Sequence, residues 1–351
     1  MIFSRLFGAF SQDIGIDLGT ANTLVYVKGK GIIINEPSIV AINKKTDQIL
    51  AIGNDARKMV GKTPAHIVAT KPLSDGVISD FEITEKMLRY FIEKVHREGF
   101  NLLPRPRVII GVPLGITEVE RKAVEDAAIN AGARKTYLIE ETMAASIGAK
   151  LPIQDSEGSM ICDIGGGTTE IAVISLGGVV VSRSLRIAGT ELDENVVDFA
   201  RSEFNLLIGE RTAEDIKIAI GSAIPLKEPL AYIMKGRDLV TGLPKKAKVT
   251  DEQVRKALSP SIKTLVSNVK ATIEETPPEL VADIMEKGIV LSGGGALLRL
   301  LNKLISKETG IPVHIADDPL TCVARGCGVV LEDLDALGEI LLSPDKREVP
   351  V

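Results

Sequence analysis

The chain predicts an α/β fold made of two duplicated halves that face each other, and three glycine-bearing turns carry that expectation. In residues 159–174 an apolar strand runs into Asp163 and Gly165, Gly166 and Gly167, and a second apolar strand leaves them. Adjacent glycines let backbone N–H groups converge without Cβ atoms in the way, which suits a phosphate, and Thr168 and Thr169 add hydroxyls. Asp163 at the strand end is placed to hold a hydrated Mg²⁺ against that phosphate. Alone, such a hairpin is as readily a plain turn. Its echo lies 146 residues earlier, where residues 13–27 again read strand, Asp17, a Gly/Thr turn and strand, with Asn22 and Thr23 answering Thr168 and Thr169. Repetition at half-chain distance suggests a duplication whose two hairpins clamp one polyphosphate. The third cluster, Gly293, Gly294 and Gly295, ends an apolar strand and opens a helix.

Length and composition bound the rest. A chain of 351 residues has room for two domains or one bilobed body, and 45% hydrophobic with 25% charged residues is globular composition. A net charge of -5 without a basic block, and the absence of Trp, argue against nucleic acid as a partner. Cys162, Cys322 and Cys327 have no CxxC spacing and there are only three His, so neither a disulfide framework nor a zinc site is expected. No apolar run reaches the roughly 18 residues that cross a bilayer. The N-terminus meets Asp13 too soon for a signal peptide.

In order along the chain, Ile2, Phe3, Leu6, Phe7 and Phe10 fall on one arc at about 100° per residue. That pattern fits a helix in a membrane interface or a terminal segment packed on its own domain. Residues 34–76 read as a small insertion with strands at 38–42 and 48–52. Gly61, Lys62 and Thr63 mimic the end of a Walker A motif, but Ala56 stands where its first glycine is required. Ser79 to Glu82 reads as a capping box for a helix carrying Met87, Leu88, Phe91, Ile92 and Val95, stopped by Gly99. Leu102 and Leu103 then stand in a loop, either tucked inward or forming an exposed apolar tip.

Thr117 to Glu120 caps the next helix, and a strand at 136–139 leads to Glu140, Glu141 and a helix at 143–149. An acid at such a junction is a helix-dipole partner or orients a water. Ala144, Ala145 and Gly148 permit close crossing of another backbone, as a hinge requires. Thr190 caps a helix to Phe204, and Thr212 begins another, on which Glu214 and Lys217 share a side as a surface ion pair or a ligand contact. Strands and turns fill 222–249, and Pro260, Pro277 and Pro278 each fit a helix first turn. Helices at 296–305 and 319–331 flank a strand at 313–316, and the last residues read as a loosely held tail.

With these turns in place the chain resembles the actin, sugar kinase and heat-shock chaperone ATPase superfamily, and within it the bacterial actin homologues, essentially end to end. The resembling segments are 16–23, 163–170, 209–214 with Lys217, 291–298, 141–145 and 318–324. The resemblance implies an actin-like ATPase fold, with two duplicated ribonuclease-H-like α/β lobes, each bearing a smaller inserted subdomain, and nucleotide in the interlobe cleft. Residues 1–33 and 77–149 would form subdomain IA, 34–76 IB, 150–187 and 257–335 IIA, 188–256 IIB, and 336–351 a tail. It implies ATP and Mg²⁺ as cofactors. Asp17 and Asp163 would organise the metal largely through water. Gly19, Thr20, Ala21 and Asn22, with Gly165, Gly166, Gly167, Thr168 and Thr169, would hold phosphates. Glu214, Asp215, Ile216 and Lys217, with Gly293, Gly294, Gly295 and Ala296, would cradle the nucleoside. Glu141 and Thr168 would position the attacking water.

The resemblance further implies homopolymeric filaments with paired protofilaments, cytoplasmic and peripheral on the inner face of the cell membrane, working with membrane proteins of the cell-wall elongation machinery to maintain rod shape. Ile2, Phe3, Leu6, Phe7, Phe10, Leu102 and Leu103 would meet the lipid. Family members usually carry Pro after the catalytic Glu, where Thr142 stands here. A small-molecule kinase of the same superfamily is the competing expectation. It needs a base on an acceptor hydroxyl, and no acid remains for that beyond those given to Mg²⁺ and water. A chaperone ATPase would need a substrate-binding domain after the nucleotide domain.

Overall fold

The computed structural model describes residues 11–96 and 105–342. It divides into two compact units, one of Met1–Gln154, Leu176–Gly178 and Leu320–Val351, the other of Asp155–Ser175 and Val179–Pro319. In the first unit β1 (Ile14–Leu18), β2 (Asn22–Val27) and β3 (Gly31–Pro37) form an antiparallel meander. A small sheet of β4 (Val40–Asn43), β5 (Gln48–Ile52) and β6 (Ile67–Thr70) carries the short helix α1 (Asn54–Met59), and β7 (Leu73–Ser74) pairs with β8 (Val77–Ile78). There follow α2 (Phe81–His96), β9 (Arg107–Val112), α3 (Glu118–Asn130), β10 (Lys135–Glu140) and α4 (Glu141–Gly148). Strands β9 and β10 add in parallel, so the large sheet runs β3-β2-β1-β9-β10.

The second unit repeats this plan. It contains β11 (Ser159–Ile164), β12 (Thr169–Ser175), β13 (Gly178–Leu185), α5 (Gly189–Phe204), β14 (Leu206–Leu207), α6 (Glu210–Ile220), β15 (Ala231–Asp238), β16 (Pro244–Thr250) and α7 (Asp251–Glu275). Then come α8 (Pro278–Lys287), β17 (Ile289–Ser292), α9 (Leu301–Thr309) and β18 (Val313–Ile315). Its large sheet runs β13-β12-β11-β17-β18, with β11 antiparallel to β12 and parallel to β17. In both units the strand bearing the predicted Asp lies between an antiparallel partner and a parallel one. Strands in that position are covered on both faces, which is why β11 is buried throughout and reads as an apolar run. The duplication expected from two similar turns is thus present in the strand order of two sheets.

Several local expectations shift. The predicted strand at 38–42 starts at Val40, and α1 is an addition. Asp80, not Ser79, caps α2, because its carboxylate accepts the Ile83 N–H at 3.1 Å. Thr117 and Glu120 form the expected capping box. Pro260 lies inside α7 rather than in a first turn; that helix starts earlier, at a Thr250–Gln253 capping box. Pro278 does open α8. The helix expected at 296–305 is a 3₁₀ turn, Gly294–Leu297, separated from α9 by Leu300 in the left-handed region. Ile2, Phe3, Leu6, Phe7, Phe10, Leu102 and Leu103 lie outside the described residues. Among the described residues no helix is long and apolar enough to cross a membrane.

The last helices, α10 (Cys322–Glu332) and α11 (Leu334–Leu337), belong to the first unit, although the sequence reading groups 257–335 with the second half. The physical reason is a glycine-mediated crossing of α10 on α4. A Cβ on Gly148 would stand 1.9 Å from the Cys322 carbonyl oxygen, and one on Gly326 would stand 1.8 Å from that of Ala144. Gly328 faces the Tyr26 ring and Gly15 of β1 faces Cys327, where a Cβ would stand 2.6 and 2.8 Å from the nearest atom. The small residues of 144–148 therefore serve a close crossing, and it is internal to this unit. Either Gly148→Ala or Gly326→Ala is expected to lower stability by about 1–3 kcal/mol or more, because backbone on the facing helix must move. Urea unfolding checks this, with Gly338→Ala, where no atom lies within 4 Å, as the near-neutral control.

Candidate phosphate and nucleotide site

In the first unit Asp17 sits one residue from the end of β1, in register with Leu24 and Gly111. The turn after it is held from behind. Ser38 Oγ donates to the Gly19 carbonyl at 2.6 Å, and the Ser38 N–H donates to the Ala21 carbonyl at 3.0 Å. Thr20 Oγ1 accepts the Gly76 N–H at 2.9 Å. Glu141 opens α4 and is only 7% exposed. Burial first, then the charges of Asp17 and Glu141, pushes the Cys327 thiol far up, so the structure gathers both predicted carboxylates around one neutral, buried sulfur. Thr142, one residue on, is fully buried, and its Oγ1 has no hydrogen-bond partner among the described residues. It is the second residue of α4, where the N–H makes no intrahelical bond, so Thr or Pro fits the same backbone.

In the second unit Asp163 takes the matching place in β11, in register with Glu170 and Ser292. It is 6% exposed, and burial pushes its carboxyl up to about 6, against the Ser292 hydroxyl, which donates to Oδ1 at 2.6 Å and lowers it. A desolvated carboxylate at a strand end gains most from a cation. Among the described residues no three His, Cys, Asp or Glu side chains converge on a metal-sized space. Asp163 with the Ser292 hydroxyl beside it is a sparse donor set of the kind that suits a cation keeping most of its waters.

The glycine loop closes through the Gly165 N–H to the Thr168 carbonyl at 2.8 Å. Behind it, the N–H groups of Gly189 and Thr190 donate to the carbonyls of Gly165 and Gly166 at 3.1 and 2.8 Å. Thr190 is thus not a cap. It lies inside α5, whose first two N–H groups are satisfied by the glycine loop. Thr169 is also corrected: it is fully buried and its hydroxyl donates to the Ile187 carbonyl at 2.6 Å, so it holds the sheet and does not offer a proton to phosphate.

Lys217 reaches back to the same corner, with Nζ 2.8 Å from Asp193 Oδ1 and donating to the Gly189 carbonyl at 2.8 Å. Its ion-pair partner is Asp193, not Glu214. Ile216 is fully buried in the core of this unit, so its side chain is not presented to a ligand, while Asp215 is exposed. Gly293 has φ 76°, and a Cβ there would stand 2.3 Å from the Ile164 carbonyl oxygen; one on Gly295 would stand 2.2 Å from Ile164 Cγ2. Only glycine lets this turn close over the end of β11. Gly294 is exposed, and Ala296 is fully buried.

Within each unit, then, the predicted residues come together: Asp17, Gly19 to Asn22 and Glu141 in the first, and Asp163, Gly165 to Thr168, Lys217 and Gly293 to Gly295 in the second. Sequence reasoning missed Ser38, Asp193 and Ser292. Only Ser292 carried a signal, since it directly precedes the third glycine cluster.

Folding raises the Asp163 pKa, so the group favours the folded state only when protonated. That contribution is complete below about pH 4 and is lost as pH rises through about 6. At pH 7 the nucleotide-free protein holds a costly charge there. Asp163→Asn is expected to raise the melting temperature at pH 7, removing a penalty of at most about 3 kcal/mol, with the gain shrinking at pH 5. Scanning calorimetry at both pH values checks it.

The sequence model of the MreB/Mbl protein family matches residues 11–339. The chain is 52% identical over 351 residues to cell shape-determining protein MreB of Pasteurella multocida, covering 98% of this chain and 100% of that one. It is 48% identical over 334 residues to cell shape-determining protein Mbl of Bacillus subtilis, covering 95% and 100%. Crystal structures of MreB5 of Spiroplasma citri bound to ADP and to AMPPNP match with TM-scores of 0.88 and 0.89 at 40% identity, each covering 94% of this chain and 98% of the other. Duplicated sheets, Asp-led turns and these matches agree, and the chain is a member of the MreB/Mbl family with its actin-like fold.

Proposed function

We propose that this chain binds and slowly hydrolyses ATP with Mg²⁺, polymerises into membrane-associated filaments, and directs cell-wall synthesis to maintain rod cell shape. The observation that carries the reading is the equivalence of Asp17 and Asp163, each followed by a turn whose carbonyls are held from behind. Each such turn, with its N–H groups free of side-chain cover, suits a phosphate group. The relatives support the rest: proteins about half identical to this chain are named for determining cell shape, and a 40%-identical structure carries ADP or AMPPNP.

In this reading the N–H groups of the two turns bind phosphate oxygens, and Lys217 with the 293–296 turn holds the nucleoside. Glu141 and Thr168 orient the attacking water. Mg²⁺, held by Asp17 and Asp163 through its waters, would neutralise charge on the phosphates. Catalysis is then mainly positioning, with Glu141 kept buried at the start of a helix. For the membrane, Ser11 Oγ accepts the Arg105 N–H at 2.8 Å, so the residues following the apolar N-terminal segment and the apolar loop are joined. That supports the two acting at one lipid surface. Self-assembly of an asymmetric monomer by a heterologous contact that does not close gives a filament.

Electron microscopy of the purified protein with Mg·ATP on a lipid monolayer tests assembly and membrane association together, and bare monolayers would overturn both. For the chemistry, Glu141→Ala is expected to keep nucleotide binding while slowing phosphate release by about tenfold or more. Unchanged turnover would remove Glu141 from the role. ADP release that depends on an added sugar or acid would favour the kinase alternative.

A further inference from the structure

Among the described residues the carbonyls of the first glycine-bearing turn are held by a strand-side serine, where those of the second are held by the start of a helix. In the second unit the N-terminal N–H groups of α5 grip the Gly165 and Gly166 carbonyls. In the first unit one residue does the equivalent work: Ser38 takes the Gly19 carbonyl with its hydroxyl and the Ala21 carbonyl with its N–H. A carbonyl oxygen only accepts, so the Ser38 proton is committed to Gly19. Thr23 Oγ1, 2.9 Å from Ser38 Oγ, must then be the donor of that pair. Thr23 and Ser38 are both fully buried, which fixes the proton order Thr23 to Ser38 to Gly19 without water.

The consequence follows from peptide geometry. No described peptide bond is cis, and in a planar trans peptide the N–H points opposite to the C=O. With the Gly19 and Ala21 carbonyls drawn toward Ser38, the N–H groups of Thr20 and Asn22 are turned away from it, toward the open side of the turn. Hydrogen bonding at the carbonyl also polarises each peptide and strengthens its N–H as a donor.

We infer that Ser38, oriented by Thr23, is a positioning residue that aims the Thr20 and Asn22 N–H groups at the polyphosphate of the nucleotide. It does not touch the ligand. The inference rests on the nucleotide reading above and adds a residue to it. Ser38 thereby discriminates for phosphate: it strengthens binding in proportion to the phosphates that reach this turn and is indifferent to the nucleoside.

The test measures affinities of wild type, Ser38→Ala and Thr23→Val for Mg·ATP and for AMP by calorimetric titration, with melting temperatures alongside. Ser38→Ala is expected to weaken Mg·ATP by about tenfold and AMP by less than about twofold. Thr23→Val, which preserves volume and removes the donor to Ser38, is expected to shift Mg·ATP in the same direction by a smaller factor. Ser38→Thr, which keeps the hydroxyl, should restore most of the affinity. Wild type failing to bind Mg·ATP would overturn the nucleotide reading itself. Wild type binding while both variants match it, or losing ATP and AMP affinity in equal proportion with a lower melting temperature, would overturn the role of Ser38 alone. Should Ser38→Ala not fold, Thr23→Val with unchanged affinity for both nucleotides overturns it as well.

Discussion

A carboxylate is carried at the end of a strand that is buried along its whole length, and most of the second unit answers to that constraint. Asp163 must stay near water or a cation while β11 is covered on both faces. The strand end is therefore opened by a glycine loop instead of a side-chain-bearing turn, and the adjacent parallel strand supplies Ser292 as the donor that eases the charge. The third glycine cluster closes over Ile164, the next residue, where a Cβ on Gly293 or Gly295 would strike its backbone or side chain. Burial that penalises the ion is the same burial that would make a bound cation and phosphate interact strongly.

The two units share strand order and register but not hardware. The position in register with Asp163 on the neighbouring strand is Ser292, whereas the one in register with Asp17 is Gly111. A Cβ on Gly111 would meet Val323 at 3.0 Å and the Glu141 side chain at 3.4 Å. The first unit has thus given up a hydroxyl donor and gained space for a second carboxylate. The turns are braced differently too, by Ser38 in one unit and by the start of α5 in the other. A duplication that keeps its sheets and diverges in its bracing yields two glycine-bearing turns with different chemical neighbours, one of them in the unit that carries the buried Glu141.

Particular residues show how far the sequence could be followed. The repeated Asp-led turns were legible because strand, acid and glycines are contiguous, and local chemistry decides such a motif. Thr117 and Glu120 were legible for the same reason, as a capping box closes within four residues. Thr190 was misread because its N–H, not its side chain, is what matters, and the acceptor is Gly166, far back in the chain. Lys217 and Glu214 had good helical spacing, yet Asp193 on another helix takes the ammonium, because a partly buried ion pair with a carbonyl beside it outweighs a half-exposed neighbour. Pro260 reads locally as a helix first turn, but α7 carries it mid-helix on an exposed face where one lost hydrogen bond is tolerated.

Sequence alone determined the fold class, the duplication, the two aspartates and the glycine turns, since each rests on short-range pattern: alternation, caps, and backbone freedom at the strand end. Tertiary structure decided which donors stand behind those turns, which acid pairs with Lys217, and that α10 packs on α4 across two glycines. These depend on residues brought together from distant parts of the chain, where a hydrogen bond of 2.6 Å or a missing Cβ leaves no trace in local periodicity.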